Sequence, residues 1–477
     1  MRPAVELEIE RKYALSLEQA VPPLAGIITE GALNTYQLVA DYYDTPDQRL
    51  RAGRLVLRRR TGGRDDGWHL KAPGQDADHR LELQLPIDPD APGLIPQAFW
   101  DEVSERIADQ PLVPVASLHT VRQERDLVGA DHTVLARLCI DEVRSEASGH
   151  VDHWREAELE LAAGQLSLLD EVEAVFARAG IVRATDVAKI ARALGPAREP
   201  RPVDAGSVVQ DYVARQLGAL QHWYRDPSGL PGGDAHDGRV ACRRLRSVLA
   251  TYGDVFAPGA RGRLRAELRW LGLQLSPARD AEVVADRLAQ GLAAVGGEPE
   301  LAHSYRSAVL ATRLQTLGAT LDRRRVAAVL AGLERLLGAS ALSAKASREP
   351  SVLLVKAWRS AARHVEEEAA AARLSGEADA WHGVRKAAKA ARYGAEVLAT
   401  ALPQFAAHRD AWEQVTEALG VVQDAVVTRG ELARSEFAEL PGASDALLAA
   451  LQAHEAELQH AALDRGRAAV AAALALR

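Results

Sequence analysis

The polar–apolar pattern of this 477-residue chain changes near residue 200, and no single layer architecture accommodates both patterns. Before that point short runs alternate residue by residue. Val5-Glu6-Leu7-Glu8-Ile9-Glu10 and Glu156-Ala157-Glu158-Leu159-Glu160-Leu161 are examples, and each reads as a strand with one polar face. Turn-forming residues punctuate the runs at Thr45-Pro46-Asp47, Gly62-Gly63 and Lys71-Ala72-Pro73-Gly74. A proline-rich stretch, Gly195 to Pro202, then reads as a linker. Beyond it the chain runs in helix-length segments of Ala, Leu, Arg and Glu. The expectation is an α+β two-domain protein, with a mainly β part over 1–195, a linker over 196–204 and an all-α part over 205–477.

Composition narrows the class further. Hydrophobic residues make up 47% and charged residues 26%, the balance of a globular protein long enough to bury a core without staples. The start, with Glu6 and Glu8, carries acids where a secretion signal needs an apolar stretch, and no run reaches the length of a membrane span. Cys139 and Cys242 are the only cysteines, which excludes a disulfide framework or a zinc knuckle. A cytoplasmic protein with no membrane partner is expected. The net charge of −8 argues on its face against a polyanion ligand. It is a sum over the whole chain, however, and recognition depends on where charges point.

On the β side the polar face carries a pattern of its own. Glu6, Glu8, Glu10 and Lys12 leave one face of a strand about 7 Å apart, and Glu156, Glu158 and Glu160 repeat the arrangement. Arg58 with Arg60, His69 with Lys71, Arg80 with Glu82, and Thr120 with Arg122 and Glu124 alternate likewise. Taken singly, each is an ordinary solvated face of an antiparallel sheet. Together they are less ordinary, because neighbouring glutamates repel unless a cation compensates. Clustered carboxylates suit Mg²⁺ or Mn²⁺, and strands of arginine and lysine suit phosphate oxygens. A barrel interior holding both would grip a metal–oligophosphate complex.

The segment Glu8-Ile9-Glu10-Arg11-Lys12 resembles the ExExK signature of the CYTH superfamily, the triphosphate tunnel metalloenzymes. The resemblance continues through Tyr43-Asp44-Thr45-Pro46, Leu57-Arg58-Arg59-Arg60, Leu70-Lys71, Arg80-Leu81-Glu82, Arg122, Asp141 and Glu158-Leu159-Glu160. It implies an eight-stranded antiparallel β-barrel whose tunnel binds a triphosphate and a divalent metal. By the same resemblance Glu8, Glu10, Asp141, Glu158 and Glu160 would hold metal. Arg58, Arg60, Lys71, Arg80, Arg122 and Lys189 would bind substrate, and Glu8, Glu10 and Lys12 would form the catalytic group. Ala188 stands where the family often has a serine before the lysine, and His69 where it often has threonine.

The α part contains a repeat, about 205–345 and 346–477. His236, Arg239, Arg243 and Arg246 recur 146 residues later as His382, Arg385, Lys389 and Arg392, each series on one helical face. Asp280 and Asp424 follow at a similar offset. A solvated stripe bridged to glutamates is the plain reading, but like charges stacked in this way cost helix stability unless something anionic faces them. Both copies resemble the CHAD domain, the conserved histidine α-helical domain. That resemblance implies duplicated four-helix bundles whose eight basic and histidine residues bind inorganic polyphosphate. The surrounding arginines would repel a divalent cation, and the stripes lack interleaved aromatics for stacking bases, so no nucleic acid partner is expected. The aspartates would orient arginines.

The combination predicts a metal-dependent inorganic triphosphatase, tripolyphosphate to pyrophosphate and phosphate. Its helical domain would bind long-chain polyphosphate and associate with polyphosphate granules. Two alternatives stay open: a hydrolase or cyclase acting on an organic triphosphate such as thiamine triphosphate or ATP, and a non-catalytic polyphosphate-binding protein.

Overall fold

The computed structural model describes residues 4–476, apart from 75–77, 108–109, 148–149, 185–187, 196–202, 225–234 and 376–379. Two compact units divide between residues 200 and 201, inside the expected linker, most of which lies outside the described residues.

The first unit is a closed antiparallel barrel of eight strands. The strands are β1 (Ala4–Leu15), β2 (Thr29–Asp44), β3 (Val56–Thr61), β4 (Gly67–Pro73), β5 (His79–Leu85), β6 (Val113–Val128), β7 (Val134–Ala147) and β8 (His150–Leu161). They run β5-β4-β3-β2-β6-β7-β8-β1, and β5 pairs with β1 to close the ring. A two-residue strand, β9 (Val182–Arg183), adds to β1. The tight turn between β3 and β4 depends on Gly62. Its φ of +94° is left-handed, and a Cβ there would overlap the Gln37 carbonyl oxygen.

Alternation sorts the two faces in an unusual sense. Two helices cover apolar residues on the outside of part of the barrel, Leu7, Leu81 and Val121 stay exposed, and the charged rows of the site point into the barrel. Helix Leu166–Arg178 lays Leu169, Val172 and Phe176 over Tyr13, Leu127 and Leu159. Phe176 meets Tyr13 edge-on at 4.9 Å between ring centroids. Helix Gln97–Ile107 lays Phe99, Trp100 and Val103 over Tyr43, Leu57 and Trp68. Each such side chain contributes about 1.5–3 kcal/mol on burial. The outer clusters therefore stabilise the barrel and leave its interior free for charge. The charged faces look into the barrel, as expected of the strands taken together, and not out to solvent as each taken singly would suggest.

The second unit is helical. Its first half contains Ala205–Tyr224, a first basic helix Ala235–Thr251, and Leu264–Gln274 leading into Ser276–Val295. The second half contains Pro350–Ser375, a second basic helix Trp381–Ala399, Ala406–Leu432 and Asp445–Ala475. The halves differ where Pro277 stands. Proline has no N–H to offer the Leu273 carbonyl, and the helix is interrupted at Leu275. The counterpart Ala406–Leu432 continues for 27 residues. The two basic helices pack against each other, and the Tyr252 hydroxyl donates to the Gly394 carbonyl at 2.7 Å across that contact. Gly238 lies against Trp223, where a Cβ would fall 2.7 Å from the indole, so only glycine permits this approach. Among the described residues no helix is long and apolar enough to cross a membrane.

Candidate functional site

The barrel encloses a cavity of about 770 Å³. Pairing across β1 fixes its chemistry: Glu10 stands opposite Glu160 and Lys12 opposite Glu158 on β8, while Glu8 stands opposite Arg80 on β5. Glu8, Glu10, Lys12, Arg58, Arg60, Lys71, Arg80, Arg122, Glu158, Glu160 and Lys189 all line this cavity. The sequence-derived set converges there except for Asp141.

Asp141 is fully buried behind the wall. Its two oxygens accept from Arg122 Nε at 2.8 Å and Nη2 at 2.7 Å. A carboxylate used on both oxygens by one guanidinium is an anchor, and Asp141 orients Arg122 toward the cavity. Lys189 enters from the helix Lys189–Leu194. Its Nζ lies 2.9 Å from Asp141, 2.6 Å from Glu156 and 2.7 Å from Glu158. These three carboxylates lie close enough to one another to hold a metal ion, and the Lys189 ammonium bonds to all of them. Lys189 thus lines the cavity with its charge engaged by these carboxylates.

Other cations are similarly held. Lys12 Nζ lies 2.5 Å from Glu158 and 3.2 Å from Glu10. Burial pulls its pKa down, but Glu10 and Glu158 outweigh that and raise it above the usual range. It is thus an ammonium and serves as a donor. Lys71 Nζ lies 2.5 Å from Glu8 and 3.7 Å from Glu82. His69, wholly buried, bonds Glu82 through Nδ1 at 2.7 Å and the Asp65 carbonyl through Nε2 at 2.9 Å. It does not line the cavity. Its place is behind Glu82, which it positions.

Two groups sit beside charges of their own sign, although Arg60 also pairs with Asp65. Burial, then Arg58 and Arg122, pushes Arg60 down to about 10, because three guanidiniums crowd one stretch of wall. Burial, then Glu8, pushes Glu160 up to about 7, and among the described residues Glu160 makes no ion pair. The first stretch wants an anion and the second a cation. Glu8, Glu10 and Glu160 are hard oxygen donors on adjacent strands, a donor set whose chemistry suits a divalent ion such as Mg²⁺ or Mn²⁺, while the carboxylates close enough together to share one ion are Asp141, Glu156 and Glu158.

Glu82 and Glu124, which the sequence places on the charged faces without a site role, and Arg137, which it does not single out, also line the cavity. Strict alternation from Arg80, Arg122 and Asp141 places all three on the same faces. Arg51 and Arg54, at its edge, come from the β2–β3 connection, where alternation has no reach.

In the helical unit a second cavity, of about 930 Å³, lies between the two basic helices. His236, Arg239, Arg243, Arg246, His382, Arg385 and Lys389 line it. Arg392 does not. It turns to Glu413 and to the Thr416 hydroxyl at 3.0 Å, which corrects its expected place in the stripe. Arg239 bonds Asp280 at 3.0 Å, and Asp424 faces Arg385. Arg265 and Arg269 join from Leu264–Gln274, one turn apart, a pair that helical spacing alone would have found. Burial, then Arg269 and Arg265, lowers Arg246, so here too cations outnumber the acids beside them.

Comparison with known proteins agrees with this division. The CYTH domain model matches residues 6–194 and the CHAD domain model residues 211–433. Two uncharacterized proteins from strains of Mycobacterium tuberculosis are each 32% identical over 476 residues, covering 92% of this chain and 90% of theirs. The crystal structure of a CHAD domain from the plant Ricinus communis is 24% identical with a TM-score of 0.43, covering 58% of this chain and 98% of that one. A Hippeastrum protein assigned as an adenylyl cyclase and reported with a dominant triphosphatase activity is 16% identical, with a TM-score of 0.26, covering 40% of this chain and 98% of that one.

Proposed function

The chain belongs to the proteins that carry a CYTH domain and a CHAD domain, and from that premise we propose that it is a metal-dependent inorganic triphosphatase whose helical unit holds long-chain polyphosphate. CYTH enzymes act on triphosphates and depend on metal. The observation that carries the finer reading is the sorting of charge inside one closed barrel: three guanidiniums, Arg58, Arg60 and Arg122, crowd one stretch of wall, and Glu160 makes no ion pair among the described residues.

Arg58, Arg60, Arg80 and Arg122 would grip the non-bridging oxygens of the chain, their forks matching phosphate geometry. Asp141 fixes Arg122 so that its guanidinium is in place before substrate arrives. Lys12 donates to an oxygen that gains charge as the phosphoanhydride breaks. Glu8, Glu10 and Glu160 would hold the divalent ion, which supplies charge neutralisation at the phosphates and promotes attack by water. With the site inside its ring of strands, the barrel limits bulk water around the reacting phosphorus.

A fixed-metal panel of tripolyphosphate, ATP and thiamine triphosphate, with products quantified, tests this reading. Equal amounts of phosphate and pyrophosphate from tripolyphosphate, at a rate well above either organic substrate, are expected. Faster turnover of ATP or thiamine triphosphate moves the assignment to an organic triphosphate. No turnover with either Mg²⁺ or Mn²⁺ leaves a binding protein.

A further inference from the structure

The chain has seven lysines, and their surroundings divide them. Lys12, Lys71, Lys189 and Lys345 are each within ion-pair distance of a carboxylate. Lys356 is exposed away from the cavity between the basic helices, and Lys386 is exposed at its lining. Lys389 lines the cavity between the basic helices, and no described ion pair includes it. Arg385 and His382 share its helix and cavity; Arg239 and Arg243 face it from the first basic helix, and Asp424 and Glu417 from Ala406–Leu432. Burial, then Arg385, Arg243 and Arg239, pushes its amine down to about 6, so at neutral pH it is largely the free base. An uncharged amine surrounded by guanidiniums is a nucleophile with an anion anchor beside it.

We propose that Lys389 is a modification site for acyl phosphates, small electrophiles that combine a phosphate for the arginines with a carbonyl for the amine. The Lys389 lone pair attacks the carbonyl carbon, forming a C–N bond. The acyl C–O bond breaks, inorganic phosphate leaves with that electron pair, and the amine proton passes to it. The product is an amide that can no longer take a proton, so one cation is removed from the cavity whenever a polyanion would otherwise protonate Lys389. This inference rests on the anion-binding reading of the helical cavity and is independent of the barrel's chemistry.

The intact chain is incubated at pH 7 with acetyl phosphate, or with p-nitrophenyl acetate as a neutral donor, and acetylation at each lysine is followed by peptide mass spectrometry. Lys389 is expected to react with acetyl phosphate at least tenfold faster than exposed Lys356, which does not line the cavity. The preference is expected to shrink several-fold with the neutral ester and to vanish under excess long-chain polyphosphate. Equal rates at Lys356 and Lys389 overturn the proposal, and so does an equal preference with both donors. Polyphosphate that binds the chain while Lys389 shows no preference overturns this inference alone. A preference that polyphosphate does not suppress counts against polyphosphate as the cavity's ligand and leaves Lys389 as the acylation site.

Discussion

Glu160 carries the sharpest residue-scale consequence. In the unfolded chain it ionises at the ordinary value near 4.5, and in the folded barrel near 7. The folded state therefore binds more protons between those values, and stability contributed by the neutral form is lost as pH rises through that window. In chelator, Glu160→Gln is expected to melt higher than the parent at pH 8 and alike at pH 4. The difference is at most about 3 kcal/mol, and thermal denaturation at the two pH values reads it. Mg²⁺ or Mn²⁺ should stabilise the parent at pH 8 more than the glutamine variant. Asp141 gives a second case. Asp141→Asn weakens the hold on Arg122 without emptying the space. A rise in KM for tripolyphosphate of about tenfold or more is expected from steady-state kinetics, consistent with roughly 1.4 kcal/mol or more of lost anchoring.

At the scale of elements, the short helix Lys189–Leu194 places one ammonium among three carboxylates of β7 and β8. Removing it leaves buried charges uncompensated, a change that costs about 3–5 kcal/mol. Lys189→Ala is expected to melt well below the parent in chelator and to regain part of the loss with Mn²⁺, as those carboxylates accept a cation instead. A differential scanning experiment with and without metal separates the two. The same elements show what the sequence could convey. Alternation in β1 put Glu8, Glu10 and Lys12 on a common face correctly, but period 2 does not say whether that face looks outward or inward. The answer lies in Phe176, Trp100 and their neighbours, distant residues that cover the opposite face. Depth was equally hidden: Asp141 and Glu158 have the same local pattern, yet only Glu158 reaches the cavity. Helical spacing likewise put Arg392 in line with Lys389, while Glu413 and Thr416 on the next helix draw it aside.

Across the whole molecule, acids and bases are sorted by compartment, and the net charge of −8 describes neither cavity. Each unit has its own buried core, so the two are expected to work apart. A fragment spanning 1–200 should retain tripolyphosphate turnover. A fragment spanning 203–477 should bind long-chain polyphosphate with an affinity that falls steeply as salt increases, because each phosphate neutralised releases counterions. Equilibrium binding at several ionic strengths measures the slope, and Arg243→Gln should flatten it.

The pairing of Glu10 with Glu160 across β1 and β8 has an evolutionary corollary. Because successive side chains alternate sides of the wall, the site obeys a parity rule. Inserting one residue into β1 directly ahead of Glu8 would move Glu8, Glu10 and Lys12 to the outside and bring Ile9 and Arg11 within, inverting that stretch of the strand at a stroke. Inserting two would slide the row along the barrel and keep it within. Length variation among relatives should therefore fall in the connections between strands, and inside β1 or β8 it should come in even steps.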